Sequence, residues 1–215
     1  MQKAFYSYTD PNDPYKKYNL KNDNKFTSIL NDHPNGYVLG EIATYDKIIA
    51  EAKLMGYDFI ELAQKRRHLN MPDYPDADKV YHTFFYVNGD NIALWRHMHK
   101  TAADFLEYAA GVLVRKYTEY AEATRFVLTN NIIFPHNMFA MSLDKFERYN
   151  AWLQSILSNL EFPSDPPKIA SLLAERLFTI YVFHNFGIKD TVWVTANAYN
   201  KYTGEKLQCV NGVAD

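Results

Sequence analysis

Residues 40–62 read GEIATYDKIIAEAKLMGYDFIEL, and two periods meet in them. Ile42, Tyr45, Ile48, Ile49, Ala52 and Met55 follow the i, i+3, i+4 spacing of an amphipathic helix, and Gly56 supplies the residue that most readily ends one. YDFIEL (57–62) then has the aromatic and β-branched character of a strand. Upstream, KAFYSY (3–8) predicts an opening strand, and the polar stretch from Thr9 to Pro34 reads as one long irregular segment. Strand, loop, helix, strand is the start of an α/β fold.

Downstream, MPDYPDAD (71–78) is a loop by its prolines and aspartates, and VYHTFFYV (80–87) is a strand closed by Asn88-Gly89. Thr101 and Asp104 open one long helix to about Leu128. In IIFPHNMFAM (132–141) the polar pair His136-Asn137 interrupts two apolar runs, at a junction expected to face a cleft. Ser142 caps the clearest helix, with Phe146, Tyr149, Trp152, Leu153, Ile156, Leu157 and Leu160 at helical spacing. PSDPP (163–167) breaks the chain before another helix, carrying Ile169, Leu172, Leu173, Arg176, Leu177, Ile180 and Tyr181 and ending near Gly187. TVWVTANAY (191–199) alternates as a strand and turns at Thr203-Gly204 toward KLQCV, a closing hairpin. The whole predicts a single α/β domain over 1–215, sheet-rich to residue 100 and helical with closing strands after it.

Composition narrows the partners. A formal charge of −2 gives no basic excess for a phosphate backbone, so duplex nucleic acid is not an expected ligand. The single cysteine, Cys209, excludes an intrachain disulfide and a zinc–thiolate cluster, and no base near it suggests a catalytic thiol. With 17 Tyr and 14 Phe the chain has aromatic surface to spare for a core and for stacking on a ligand. MQKAFYSYTD lacks the apolar centre of a signal peptide, and no run is long enough to span a bilayer, so a soluble cytoplasmic protein is expected.

Several residue groups carry candidate chemistry. Arg66 and Arg67 follow a buried-looking strand, where ligands bind in open α/β sheets, and paired guanidiniums suit a diphosphate; the alternative is a solvated basic corner. Asp73, Asp76 and Asp78 offer oxygen ligands for Mn²⁺ or Mg²⁺, with Asp76-Ala77-Asp78 spaced as a D-x-D; the alternative is a solvated loop. His136 can exchange a proton near neutral pH and Asn137 can pair with a hydroxyl or amide, unless both only bond the backbone at a turn. Glu175 and Arg176 form a buried ion pair or reach a ligand. His97-Met98-His99 has no third ligand at a familiar spacing. No P-loop, G-x-S-x-G or G-x-G-x-x-G occurs.

PHNMFAMSLDKFERYNAWLQSILSNLE followed by LLAERLFTIYV resembles the closing half of the family called domain of unknown function 4422, with its N-M-F block, Y-x-x-W-L-x-x-I-L helix and E-R-L block. GEIATYDKII resembles that family's E-x-T-x-x-Y helix at Glu41, Thr44 and Tyr45, and YDFIELAQKRRHL its strand ending in a histidine-tyrosine-arginine-arginine motif, whose first two positions are Gln64 and Lys65 here. The resemblance implies a compact Rossmann-like, GT-A-related fold and a glycosyltransferase of polysaccharide biosynthesis. It would move a sugar from a nucleotide-sugar donor to a hydroxyl of a glycan or other polymer. It places the nucleotide in the half before residue 100 and the acceptor under the helical half. By position it carries over Arg66, Arg67, His136, Asn137, Glu175 and Arg176, and its helix motif adds Glu41, Thr44 and Tyr45. The leading expectation has Arg66 and Arg67 clamp the diphosphate, with Thr44, Tyr45, Asn137, Glu175 and Arg176 binding substrate; a carboxylate such as Glu41 or Asp78, or else His136, is the base or metal ligand, and the D-x-D pair Asp76 and Asp78 would hold a Mn²⁺ or Mg²⁺ ion. A non-catalytic carbohydrate- or protein-binding module on the same fold, virally encoded, is the second expectation. A metal-dependent phosphoesterase built on the 73–78 aspartates is the third.

Overall fold

The computed structural model describes residues 2–8, 26–64, 67–86, 89–98, 103–163, 168–199 and 206–207. Its strands in the first part of the chain are β1 (Gln2–Tyr8), β2 (Phe26–Leu30), β3 (Phe59–Ala63), β4 (Arg67–Leu69), β5 (Val80–His82) and β6 (Phe85–Tyr86), with helix α1 (Tyr45–Met55) between β2 and β3. Helices α2 (Asn91–Met98), α3 (Ala103–Lys116) and α4 (Ala121–Thr129) follow. Then come β7 (Ile132–Ile133), β8 (Phe139–Ser142), α5 (Leu143–Leu157), α6 (Ile169–Asn185), β9 (Thr191–Trp193), β10 (Ala196–Tyr199) and β11 (Lys206–Leu207).

Six strands form the main sheet in the order β2-β1-β3-β8-β5-β9. All run the same way except β8, which is antiparallel to both β3 and β5. Because side chains alternate across a pleat, the two faces can be read off neighbouring residues. Ile60, Leu62, Phe139 and Met141 join the large core beneath the helices, whereas Phe59, Met138 and Ala140 join a second cluster with Leu69 and Tyr81. That second face is partly covered by the small sheet β11-β10-β4. At the centre of the helical core Phe139 stacks on Phe178 at 4.1 Å, and both are about as buried as a side chain can be.

The expected α/β class is what the chain adopts, with several departures. The segment read as irregular to Pro34 contains β2, paired parallel to β1; FTSIL is short and flanked by Asn and Asp, which masks its period. The helix expected to start at Gly40 is prefaced by a helical turn at Gly36–Leu39 and a 3₁₀ turn at Gly40–Thr44; its stop at Gly56 is left-handed as expected, with φ 67°. The long helix to Leu128 is broken at Tyr117, whose φ −134° and ψ 80° are not helical, into α3 and α4. Strand β8 was hidden inside an apolar run leading into a helix. TVWVTANAY splits into β9, which extends the main sheet, and β10, which pairs with β11 as the expected hairpin. Ser142 stands at the N-cap position of α5 without a side-chain capping bond. Arg66, Asn88, His99, Thr101, Thr203 and Cys209 lie outside the described residues.

Gly40 has φ 58° and ψ −138°, and a Cβ there would stand 2.9 Å from Cβ of Ser171 on α6. Its missing side chain is what lets the 3₁₀ turn approach α6. Gly56 has a similar φ but open space around it. Gly56→Ala should therefore cost about 1 kcal/mol, the left-handed penalty alone. Gly40→Ala should cost about 3 kcal/mol or more, since overpacking adds to backbone strain. Urea denaturation of the two variants measures the difference.

Candidate functional site

In the sheet order, the chain steps from β1 outward to β2 and then returns to the other side of β1 for β3. This reversal is a topological switch point, and the crevice beyond the strand ends there is where ligands bind in open α/β sheets. A cavity of about 270 Å³ occupies the place. Its lining includes Ser7 in the last turn of β1, Asn31 just after β2, and Ala63 and Gln64 at the end of β3. The lead-in to α1 adds Gly40, Glu41, Thr44 and Tyr45, Arg67 comes from β4, and His136, Asn137 and Lys168 come from the second half of the chain.

His136 and Asn137 reach the cavity by an unusual backbone. Both are left-handed, with φ 69° and 49°, a region where His and Asn are over-represented among non-glycine residues. Four hydrogen-bonding groups hold the turn. Gln64 Nε2 donates to the His136 carbonyl at 2.7 Å, and the His136 backbone N–H donates to Glu175. Asn137 Nδ2 donates to the Ser171 carbonyl at 2.9 Å and to Glu41 Oε1 at 3.1 Å. The polar pair is thus both a turn bonded to its surroundings and part of a cleft wall.

Arg67 Nη1 lies 3.0 Å from His136 Nε2. A guanidinium can only donate, so Nε2 accepts and the ring proton sits on Nδ1. Burial, with the Arg67 charge beside it, brings the His136 pKa down to about 4, so the imidazole is neutral at pH 7. On α6, Arg176 Nη1 donates to Glu175 Oε2 at 3.1 Å, both groups being withdrawn from solvent. Burial is the main cause that raises the Glu175 pKa to about 7; Arg176 opposes the rise and Glu41 adds to it. Burial likewise pushes the Tyr45 hydroxyl well above its usual range.

Of the residues singled out in the sequence, the structure brings Glu41, Thr44, Tyr45, Arg67, His136 and Asn137 to one cavity. Glu175 and Arg176 support its wall from behind, and Arg66 lies outside the described residues. Asp76 and Asp78 are elsewhere. Tyr81 and Glu61 both pair with Ala140, so the chain preceding Val80 leaves at the edge of the sheet where β3 begins, opposite the cavity. There Lys145 Nζ donates to the Ala77 carbonyl at 2.7 Å and Asp76 Oδ1 accepts from the Asp78 N–H at 2.8 Å, a loop fastened to the start of α5. The expectation that Asp78 serves as the base at this site, or that Asp76 and Asp78 hold a metal on a diphosphate bound there, is corrected by this topology. Among the described residues no three His, Cys, Asp or Glu side chains converge as a cation site. Asn31, Lys168 and Ser171 were missed; Ser171 alone left a sign, as a polar residue on the apolar face of IASLLA.

Residues 80–186 match the family model described as domain of unknown function (DUF4422). The matched segment carries His136, Asn137, Glu175 and Arg176, while the Glu41–Tyr45 and Gln64–Arg67 motifs precede it. A solved apo structure of WbbM, a bifunctional glycosyltransferase, is similar with a TM-score of 0.72 at 16% identity, over 90% of this chain and 44% of that one. The fold is therefore glycosyltransferase-like, and the chain spans less than half the length of that relative. The crystal structure of A197 from STIV covers 93% of this chain and 85% of its own at 8% identity, with a TM-score of 0.37 that carries no argument. No curated protein matches the chain. No helix among the described residues is long and apolar enough to cross a membrane.

Two titrations test the electrostatics. The His136 imidazole should titrate near pH 4 by NMR, and Arg67→Met should move the midpoint up toward 6.5, with burial keeping it below that value. For Glu175 the fold retains a proton that the unfolded chain loses above about pH 4.5, so stability falls as pH rises from there through about 7. His136 acts in the other direction, costing stability as pH falls from 6.5 toward 4. The difference between Glu175→Gln and the parent should therefore change across pH 4.5–7 by up to about 1.4 kcal/mol per unit, read from urea midpoints.

Proposed function

We propose that the chain is the catalytic module of a nucleotide-sugar-dependent glycosyltransferase, transferring a sugar to a hydroxyl of a glycan or other polymer. The observation that carries this reading is the pairing of Arg67 with a neutral His136 at 3.0 Å on a cavity at the switch point of the parallel strands. Arg67 is a fork-shaped donor whose Nη1 is oriented by an uncharged ring, and a guanidinium of this shape suits a diphosphate. Lys168, exposed at the start of α6, adds a second cation to the same rim.

Catalysis in this reading consists of placing donor and acceptor together and stabilising charge on the departing diphosphate. His136 spends its Nε2 lone pair on Arg67, which makes it the residue that orients the guanidinium rather than the base. Glu41 is the carboxylate on the cavity wall able to take a hydroxyl proton or hydrogen bond.

Calorimetry with UDP-, GDP- and CDP-sugars, with and without Mn²⁺, tests the proposal. At least one should bind, and Arg67→Ala should weaken it about 10-fold or more, the worth of a lost charge-assisted hydrogen bond. Absence of binding by every donor overturns the reading. Binding without transfer to any hydroxyl acceptor would instead identify a carbohydrate-binding module on a glycosyltransferase scaffold.

A further inference from the structure

The cavity is not uniform in chemistry. Its cations, Arg67 and Lys168, are half-buried and exposed, whereas the buried part of the wall is furnished with oxygen: Thr44, Tyr45 and Asn137, beside the half-buried Glu41. Two of these buried groups, the Tyr45 hydroxyl and Asn137 Oδ1, have no hydrogen-bond partner, although their residues are only 1% and 3% exposed. Orphaned buried polar atoms are costly and call for an explanation. Glu41 accepts one hydrogen bond among the described side chains, from Asn137, whose amide is itself fixed by Ser171. The carboxylate is thereby oriented, and among the described residues no side chain bonds its second oxygen.

We propose that this cavity takes the sugar ring of the donor rather than its nucleoside, with Glu41 and Asn137 reading the ring hydroxyls and Arg67 and Lys168 holding the phosphates at the rim. The inference rests on the nucleotide-sugar reading above and adds which part of that molecule lies where. A polyol presents donors and acceptors together, matching a carboxylate and an amide oxygen that only accept and a phenol that does both. A nucleobase is instead held by stacking on an aromatic face. Phe5 and Tyr45, the aromatic residues of the lining, are each 1% exposed and offer no such face. Size agrees. A cavity of about 270 Å³ lies at the small end of ligand sites, roughly 300–1,000 Å³, and has room for one sugar ring.

The test is calorimetry on the full chain with UDP, GDP and CDP, their hexose conjugates, and the free hexose 1-phosphates. The productive conjugate should bind more tightly than its bare diphosphate. Glu41→Gln, near-isosteric and checked for folding by circular dichroism, should remove that increment. The expected loss is about 10- to 100-fold for the conjugate, the worth of a hydrogen bond to a charged group, with the bare diphosphate unchanged. Arg67→Ala should weaken conjugate and diphosphate alike. Tyr45→Phe removes one orphaned hydroxyl and so should fold at least as stably as the parent; it decides the matter if the Glu41 variant does not fold, by weakening the conjugate alone. Equal loss for conjugate and bare diphosphate in the deciding variant would overturn the assignment, as would a conjugate that binds no better than its diphosphate. If no nucleotide binds but a hexose 1-phosphate does, sensitive to Glu41→Gln, the donor reading fails while the sugar site stands. If nothing binds, both fail.

Discussion

The structure turns on two consecutive left-handed residues. His136 and Asn137 must reverse the chain after Pro135 so that β8 can enter the sheet antiparallel between β3 and β5. Each such conformation costs of order 1–3 kcal/mol in a non-glycine residue and survives only when its surroundings over-determine it. Here they do. Gln64 from the end of β3, Glu41 from the turn before α1, and Ser171 and Glu175 from α6 all bond to the pair. The same contacts that stabilise the turn bring three separate stretches of chain to one cavity.

Electrostatics follows from that convergence. Glu41 and Glu175 bond to the His136–Asn137 pair, Arg176 bonds to Glu175, and Arg67 meets the imidazole. Burial of the Glu175–Arg176 pair keeps one acid and one base behind the wall, where their charges largely answer each other. Arg67 meets the His136 ring on the cavity wall. Gln64, which stands where the resembling family has a histidine, serves the fold here by clamping the His136 carbonyl.

Much of this was legible in the residues, and particular elements show why. The 3.6-residue period of α1 and α5 survives because each presents an apolar stripe to the core, whereas α6 is buried all round from Arg176 to Val182 and reads as a helix by its length. The Gly56 stop was readable because few other residues adopt its φ. Strand β2 and strand β8 were not readable. One is a short edge strand among polar neighbours, and the other is buried on both faces, where a two-residue period has no polar partner to reveal it. The break at Tyr117 was equally hidden, since an apolar stripe continues across it.

The sequence by itself determined the α/β class, the order of most elements, and which polar residues stood in company that demanded a partner: His136, Asn137, Glu175 and Arg176. It could not determine partnership. Whether Asp76 and Asp78 or Glu41 face Arg67 depends on which end of the sheet each loop leaves from. That is set by the register of β3, β8 and β5 against one another. Register is a long-range property of paired strands, fixed by burial of both sheet faces at once. Only the folded chain therefore put Glu41 in the cavity and the aspartates across the sheet from it.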